Sequence, residues 1–262
     1  MGNTDTQLEP GHGVTLVPRG LRWRDLAVIF AVLALVSWPL QRGGGDLWIA
    51  DQLFRWQGGH WALRDAWLTS ALLHDVGRRL SIALWLGLVA VWALSARGAI
   101  SRQWRAPLGY LLVSVLAATL LVVIFKRYSG VDCPWDLFRY GGTRLYVAPF
   151  SYFGPMRTGG GCFPAGHASA GFAWIAAPIA LTKLHPAWSR RTFWLALSAG
   201  SAFGLAQQLR GAHFLSHDLW TLALCWLVAT LLARLWRWDA ETSNATVPST
   251  VPHRLETGTP TP

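Results

Sequence analysis

The sequence carries little charge for its length. Only 14% of its 262 residues are Asp, Glu, Lys or Arg, whereas soluble domains carry about 25%, which excludes an ordinary water-facing surface. Three cysteines are too few to form the disulfide framework of a disulfide-rich fold in a chain of this length. Lysine is also scarce, since Lys126 and Lys183 are the two lysines among 23 basic residues. Because both lie between long apolar runs, the net charge of +10 does not indicate nucleic acid as a partner.

Hydrophobic residues are abundant instead. They make up 52% of the chain, with 17 Trp and 11 Phe, a content that excludes disorder for most of it and is typical of membrane proteins with aromatic belts. A membrane span needs about 20 mainly apolar residues. Stretches that approach this length are 25–40, 80–96, 108–125, 168–184, 193–209 and 219–236. The predicted fold class is therefore all-α, a polytopic membrane protein with six transmembrane helices in a bundle.

The loops predict the orientation and the domain boundaries. Six spans place both termini on one side, and the connections 97–107 and 183–191 each hold three Lys or Arg and no acid, which favours cytoplasmic termini in the inner (plasma) membrane. We expect a cytoplasmic tail over 1–24, a membrane domain over 25–238 and a flexible tail over 239–262. Segments 46–56 and 61–73 have apolar residues at helical spacing between charges, which predicts short interfacial helices on the outer face.

Ionisable residues gather at three places that a six-span path brings to one membrane face. These are Lys126 and Arg127 at the end of the third span, His167 directly after Ala165 and Gly166 at the start of the fourth, and Arg210, His213, His217 and Asp218 between the last two. Each place alone is more often an anchor, a helix start or a packing histidine. Their convergence on one face favours a functional site.

The residue types at this face predict phosphate chemistry. Lys and Arg bind phosphate, and a Pro-x-Gly-His turn at a helix start offers free N–H groups to an anion. Two histidines from different helices can serve as nucleophile and general acid, and a nearby Asp can orient one imidazole. The predicted reaction is phosphoryl transfer from a lipid phosphate held in the bilayer. No cofactor is expected, and no metal-ligand spacing is present.

The motifs that carry this pattern resemble those of the type 2 phosphatidic acid phosphatase superfamily of membrane phosphatases. Its motifs are Lys-x6-Arg-Pro, Pro-Ser-Gly-His and Ser-Arg-x5-His-x3-Asp, and the resemblance runs from about residue 80 to 236. Residues 163–169 (FPAGHAS) and 211–216 (GAHFLS) are the most specific parts. The resemblance implies that His213 is the nucleophile, forming a phosphohistidine. It also implies that His167 is the general acid and that Lys126 binds phosphate.

The chain departs from the family pattern at its arginines and at one serine. Cys133 and Gln207 stand where arginines are expected, and Ala165 replaces the serine of the second motif. Arg210 follows Gln207 by three residues, which makes the two neighbours on a helix, so Arg210 is expected to reach the same phosphate. Other candidates to replace the missing arginines are Arg127, Arg139 and Arg144.

The acid that orients His213 is left open by the sequence. His217 stands at the position where the family has Asp, and Asp218 follows it. We take Asp218 as the partner of His213, with Asp136 as a rival, and place His217 among the substrate-binding residues. Whether Cys133 and Cys162 form a disulfide or remain two free thiols is also open.

The predicted activity is hydrolysis of a lipid phosphate or diphosphate of the isoprenoid diphosphate, phosphatidyl phosphate or lipid A type. One alternative is a phosphotransferase that uses the same site to pass the phosphoryl group to another lipid. A second is an anion transporter, although its ionisable groups would be expected at mid-membrane in broken helices rather than at span ends.

Overall fold

The computed structural model describes residues 23–99, 101–151, 160–182 and 185–236. Over these residues the chain is helical, without a β-strand, which confirms the all-α class. The α-helices are α1 (Trp23–Gln41), α2 (Gly45–Trp56), α3 (Gly77–Ala96), α4 (Arg105–Tyr128), α5 (Gly166–Phe172), α6 (Ala176–Leu181), α7 (Pro186–Leu209) and α8 (Leu215–Leu235). Most of the two predicted tails lies outside the described residues.

In the part of the chain that the structure describes, three helical segments are long and apolar enough to cross a membrane. They are Gly77–Ala96, Arg102–Tyr128 and Leu215–Leu235, and their length and composition are typical of the helices of membrane proteins. The other predicted spans coincide with α1, with α5 and α6, and with α7. A 3₁₀ turn at Ala173–Ile175 separates α5 from α6, and α7 is rich in small and polar residues. A bundle of six spans therefore stays a prediction.

The core is formed by α4, α5, α6 and α8, whose buried side chains are mostly small or aliphatic. Gly171 of α5 and Gly200 of α7 make a close crossing: a Cβ added to Gly171 would lie 2.2 Å from the backbone nitrogen of Gly200. Small residues in 193–209 therefore serve close helix packing, as expected.

The loops and helix ends meet in two groups. The first, which we call the site end, is joined by hydrogen bonds from Tyr146 Oη to the Gln41 carbonyl (3.0 Å), from Gln57 Nε2 to the Leu209 carbonyl (2.9 Å) and from the Trp135 N–H to the Gly211 carbonyl (2.9 Å). At the opposite end, Trp104 stacks on His185. The end of α4, the start of α5 and the α7–α8 link, where the predicted site residues lie, all belong to the site end.

The interfacial segments are only partly as predicted. Helix α2 coincides with 46–56, but the helix predicted over 61–73 is wrong in its first half. Residues 61–66 form turns, and a π-helix over Leu68–Val76 leads directly into α3. Side chains compete here with helical backbone bonding. The side-chain oxygen Oε1 of Gln57 accepts from the Leu63 N–H at 2.8 Å, and Thr69 Oγ1 donates to the Leu63 backbone carbonyl at 2.5 Å.

Candidate active site

The link between α7 and α8 places two histidines in contact. The chain turns at Gly211, which has a φ of 73°. His213 follows with 4% of its surface exposed, and His217 lies fully buried in the first turn of α8. Their Nδ1 atoms are 3.5 Å apart, so one ring N–H can donate to the other ring. His217 therefore occupies the Nδ1 side of His213.

The turn before α5 is bonded to the same part of α8. A cis peptide joins Phe163 to Pro164. The Ala165 N–H donates to the His217 carbonyl at 3.4 Å, and the Ala165 carbonyl accepts from Thr221 Oγ1 at 3.1 Å. Ala165 itself is completely buried, so its contribution is made through the backbone. These bonds fix the start of α5, with Gly166 and His167, beside His213 and His217.

The last turn of α4 brings a single ammonium group to this cluster. Lys126 is half-buried, and its Nζ lies 3.5 Å from where a Cβ on Gly166 would stand. Arg127 is exposed, because consecutive residues point in different directions around a helix. Lys126 is thus the basic residue of the third predicted span that faces the turn before α5.

The environment keeps His213 neutral. Burial holds the pKa of the His213 imidazole well below its ordinary value. The neighbouring Lys126, His217 and His167 lower that pKa further, whereas a hydrogen bond from the ring to the Cys162 carbonyl raises it. A neutral imidazole has a free lone pair, which a nucleophile requires.

A disulfide joins the two loop cysteines, which settles the alternative left open by the sequence. Cys133 and Cys162 have Cα atoms 5.2 Å apart and close a loop with a sequence separation of 29. The bridge ties residues 129–133, which follow α4, to the segment that leads into α5. Cys162 also contributes the carbonyl that faces His213, so the disulfide fixes a residue that contacts the site.

Asp218 is placed between α7 and α8. Its Oδ2 accepts from Gln208 Nε2 at 2.6 Å, and its carboxylate lies against Gly204. Asp136, the rival, lines a polar pocket of about 280 Å³ in the loop after α4. The group at Nδ1 of His213 is the imidazole of His217 and not a carboxylate.

The arginines proposed as replacements have other partners or point to solvent. Arg210 donates from Nε to the Arg64 carbonyl at 2.7 Å, in the turns that precede α3. Arg139 forms an ion pair with Asp51 of α2, and Arg144 lines the same polar pocket as Asp136. The structure therefore brings Lys126, His167, His213 and His217 together, and among the residues it describes it does not place an arginine beside them. Within the described ranges, no cluster of three or more His, Cys, Asp or Glu residues could hold a metal ion.

Sequence reasoning missed Asp46. This residue of α2 is 1% exposed, and both of its oxygens accept from Ser216, from the N–H at 3.1 Å and from Oγ at 2.5 Å. Burial raises the pKa of the Asp46 carboxyl, and the two bonds from Ser216 oppose that rise. A single Asp in an amphipathic segment gives no sequence signal, because its partner lies 170 residues away.

A known protein family matches the part of the chain that contains these residues. The model of the PAP2 superfamily matches residues 107–241, which include Lys126, the turn before α5, His213 and His217. The chain belongs to the PAP2 superfamily, a class of phosphatases that typically act on lipid phosphates. No curated protein and no solved structure matches the chain.

Proposed function

We propose that the protein is a membrane-embedded phosphatase that removes phosphate from a lipid phosphate or diphosphate through a phosphohistidine on His213. The observation that carries the proposal is the cluster at the site end, where a buried neutral imidazole faces a single lysine and a second histidine from another helix. The lipid classes we expect are isoprenoid diphosphates, phosphatidyl phosphates and lipid A.

The reaction proceeds in two displacements. His213 attacks phosphorus in line, forming a P–N bond as the P–O bond to the lipid breaks, and His167 gives a proton to the departing oxygen. Water then attacks phosphorus and gives a proton to His167, and the P–N bond breaks, which releases inorganic phosphate and free His213. Lys126 and the first N–H groups of α5 stabilise the negative charge on the transferred group. Fixed cations and backbone donors thus neutralise the charge.

We further propose six spans, with the site end outside the cytoplasm and both termini inside. The Cys133–Cys162 disulfide supports this orientation, because disulfides persist in oxidising compartments. The basic connection 97–107 lies at the opposite end, where Arg97, Arg102 and Arg105 favour the cytoplasmic side. A lipid phosphate in the outer leaflet would then present its headgroup to His213.

The test is phosphate release by the purified protein in detergent from a panel of lipid phosphates and diphosphates. We expect release by the wild type and by His60→Ala, which removes an exposed histidine at the same end. His213→Ala is expected to release none. Full release by His213→Ala would refute the mechanism. Transfer of labelled phosphate to a second lipid instead of water would identify a phosphotransferase, and no turnover of any kind would favour an anion transporter.

A further inference from the structure

One carboxylate reaches the site from outside the segment that matches the family. Asp46 belongs to α2 (Gly45–Trp56), whereas the match begins at residue 107. It is nevertheless buried against α8, with 1% of its surface exposed. We propose that Asp46 is a positioning residue of the phosphatase site, which holds from α2 the first turn of α8 and thereby the contact between His217 and His213. This inference rests on the function proposed above.

The first argument is that α8 has no N-terminal cap of its own. Its N-cap residue is Phe214, which offers no side-chain acceptor, yet the first N–H groups of any helix lack partners within the helix. Asp46 Oδ1 accepts from the Ser216 N–H at 3.1 Å, which is the second helical residue and the usual donor to an N-cap side chain. Asp46 therefore caps α8 from another helix. Its carboxylate also lies at the positive end of the helix dipole.

The second argument is the short path from this cap to the nucleophile. Ser216 directly precedes His217, whose N–H donates to the Phe214 carbonyl at 3.1 Å and whose carbonyl accepts from the Ala165 N–H at 3.4 Å. The His217 ring lies on Nδ1 of His213 at 3.5 Å. A displacement of the first turn of α8 would therefore move the His217 ring and loosen its bond to the start of α5. Asp46 fixes that turn through both of its oxygens.

Helix α2 supplies a matched control for this role. Asp51 lies five residues after Asp46 on the same helix, but its side chain is 20% exposed and pairs with Arg139. Tyr140 Oη donates to the same carboxylate at 3.0 Å. The hydrogen bonds of the Asp51 side chain thus tie α2 to the loop after α4. A general role of α2 acidic residues in folding would affect both positions, whereas a role in positioning affects Asp46 alone.

The test compares kcat and KM for phosphate release by the wild type, Asp46→Ala, Asp46→Asn and Asp51→Ala. A displacement of about 1 Å costs on the order of 10²-fold in rate, so we expect kcat of Asp46→Ala to fall roughly 10- to 100-fold with KM within about twofold. Asp46→Asn keeps an oxygen acceptor for the Ser216 N–H and is expected to recover part of the loss. Asp51→Ala should retain the wild-type kcat. Equal kcat for Asp46→Ala and Asp51→Ala, or an effect on KM alone, would overturn the proposal.

A second measurement does not need turnover. Diethyl pyrocarbonate modifies accessible neutral imidazoles, and mass spectrometry of the His213 peptide gives the rate. We expect faster modification of His213 in Asp46→Ala than in the wild type or Asp51→Ala, and equal rates would contradict the role of Asp46 even if no lipid phosphate were hydrolysed. Ser216→Ala, which removes one of the two bonds, gives the same comparison if Asp46→Ala fails to fold, with a smaller expected increase.

Discussion

Reduction of the Cys133–Cys162 disulfide is expected to lower the free energy of unfolding by about 3–4 kcal/mol. The bridge closes a loop with a sequence separation of 29. In the chain-entropy description, a loop of that length removes about 12 cal/mol/K of entropy from the unfolded chain, which corresponds to about 3.6 kcal/mol at 25 °C. Such a loss is a large fraction of the stability of most domains.

The same perturbation is expected to reduce activity. The Cys162 carbonyl accepts from the ring of His213, and the following turn is bonded to α8 through Ala165. Release of Cys162 from Cys133 frees the segment that carries this carbonyl, so the fraction of molecules with a correctly placed His213 should fall. Phosphate release should decrease together with stability.

The assay is equilibrium unfolding of the purified protein in mixed micelles, with and without reductant. Cys133→Ala/Cys162→Ala should unfold like the reduced wild type and should not respond to reductant. Cys225→Ala, which alters the buried thiol of α8, should keep the response to reductant. The reasoning would be refuted if both loop cysteines were alkylated without reductant, or if complete reduction, verified by mass, left the unfolding midpoint unchanged.

Three further predictions concern packing, protonation and metal ions. Gly171→Ala would place a methyl group 2.2 Å from the backbone of Gly200, so a loss of about 1–3 kcal/mol in unfolding free energy is expected, and unchanged stability would contradict the close crossing. The pH dependence of His213 modification by diethyl pyrocarbonate should have a midpoint below the ordinary pKa of 6.5, because burial and neighbouring groups lower the pKa of His213. Lys126→Gln should move that midpoint upward. The free energy of unfolding should fall as the pH drops below 6.5, because the unfolded chain then binds more protons than the folded chain. Because Lys126 and backbone N–H groups neutralise the phosphate charge in the proposed mechanism, EDTA should leave phosphate release unchanged, and a loss restored by a divalent cation would argue against it.

The gathering of the site residues at one end follows from the sequence because apolar runs fix where helices start and end. Lys126 lies in the last turn of α4 and His167 in the first turn of α5, so the alternating directions of successive helices bring them to the same end of the molecule. The close crossing of α5 and α7 was likewise visible in the small residues of 193–209. These features depend on composition and order along the chain, which a single sequence contains.

The partner of His213 depended on geometry that the sequence does not contain. His217 and Asp218 are adjacent, and consecutive helical residues point about 100° apart, so only one of them can face His213. The structure places His217 there and directs Asp218 toward Gln208. The choice depends on how α8 is rotated against α7, and Gly204 of α7 leaves the space that the Asp218 carboxylate occupies.

The contribution of α2 was hidden for a different reason. Asp46 is separated from Ser216 by 170 residues, and neither residue belongs to a motif. Segment 46–56 was expected to lie on the membrane surface, where a charged residue would face water. Its burial against the start of α8 results from tertiary packing alone, which a local pattern cannot predict.

The central claim is that His213 is the residue that carries the phosphoryl group. The most direct measurement mixes the purified protein with a labelled lipid phosphate, stops the reaction in alkali within one turnover and maps the label by mass spectrometry. Our account predicts one phosphoryl group on the His213 peptide, lost in acid and absent from His213→Ala. Label on another residue, or turnover by His213→Ala at the wild-type rate, would contradict it.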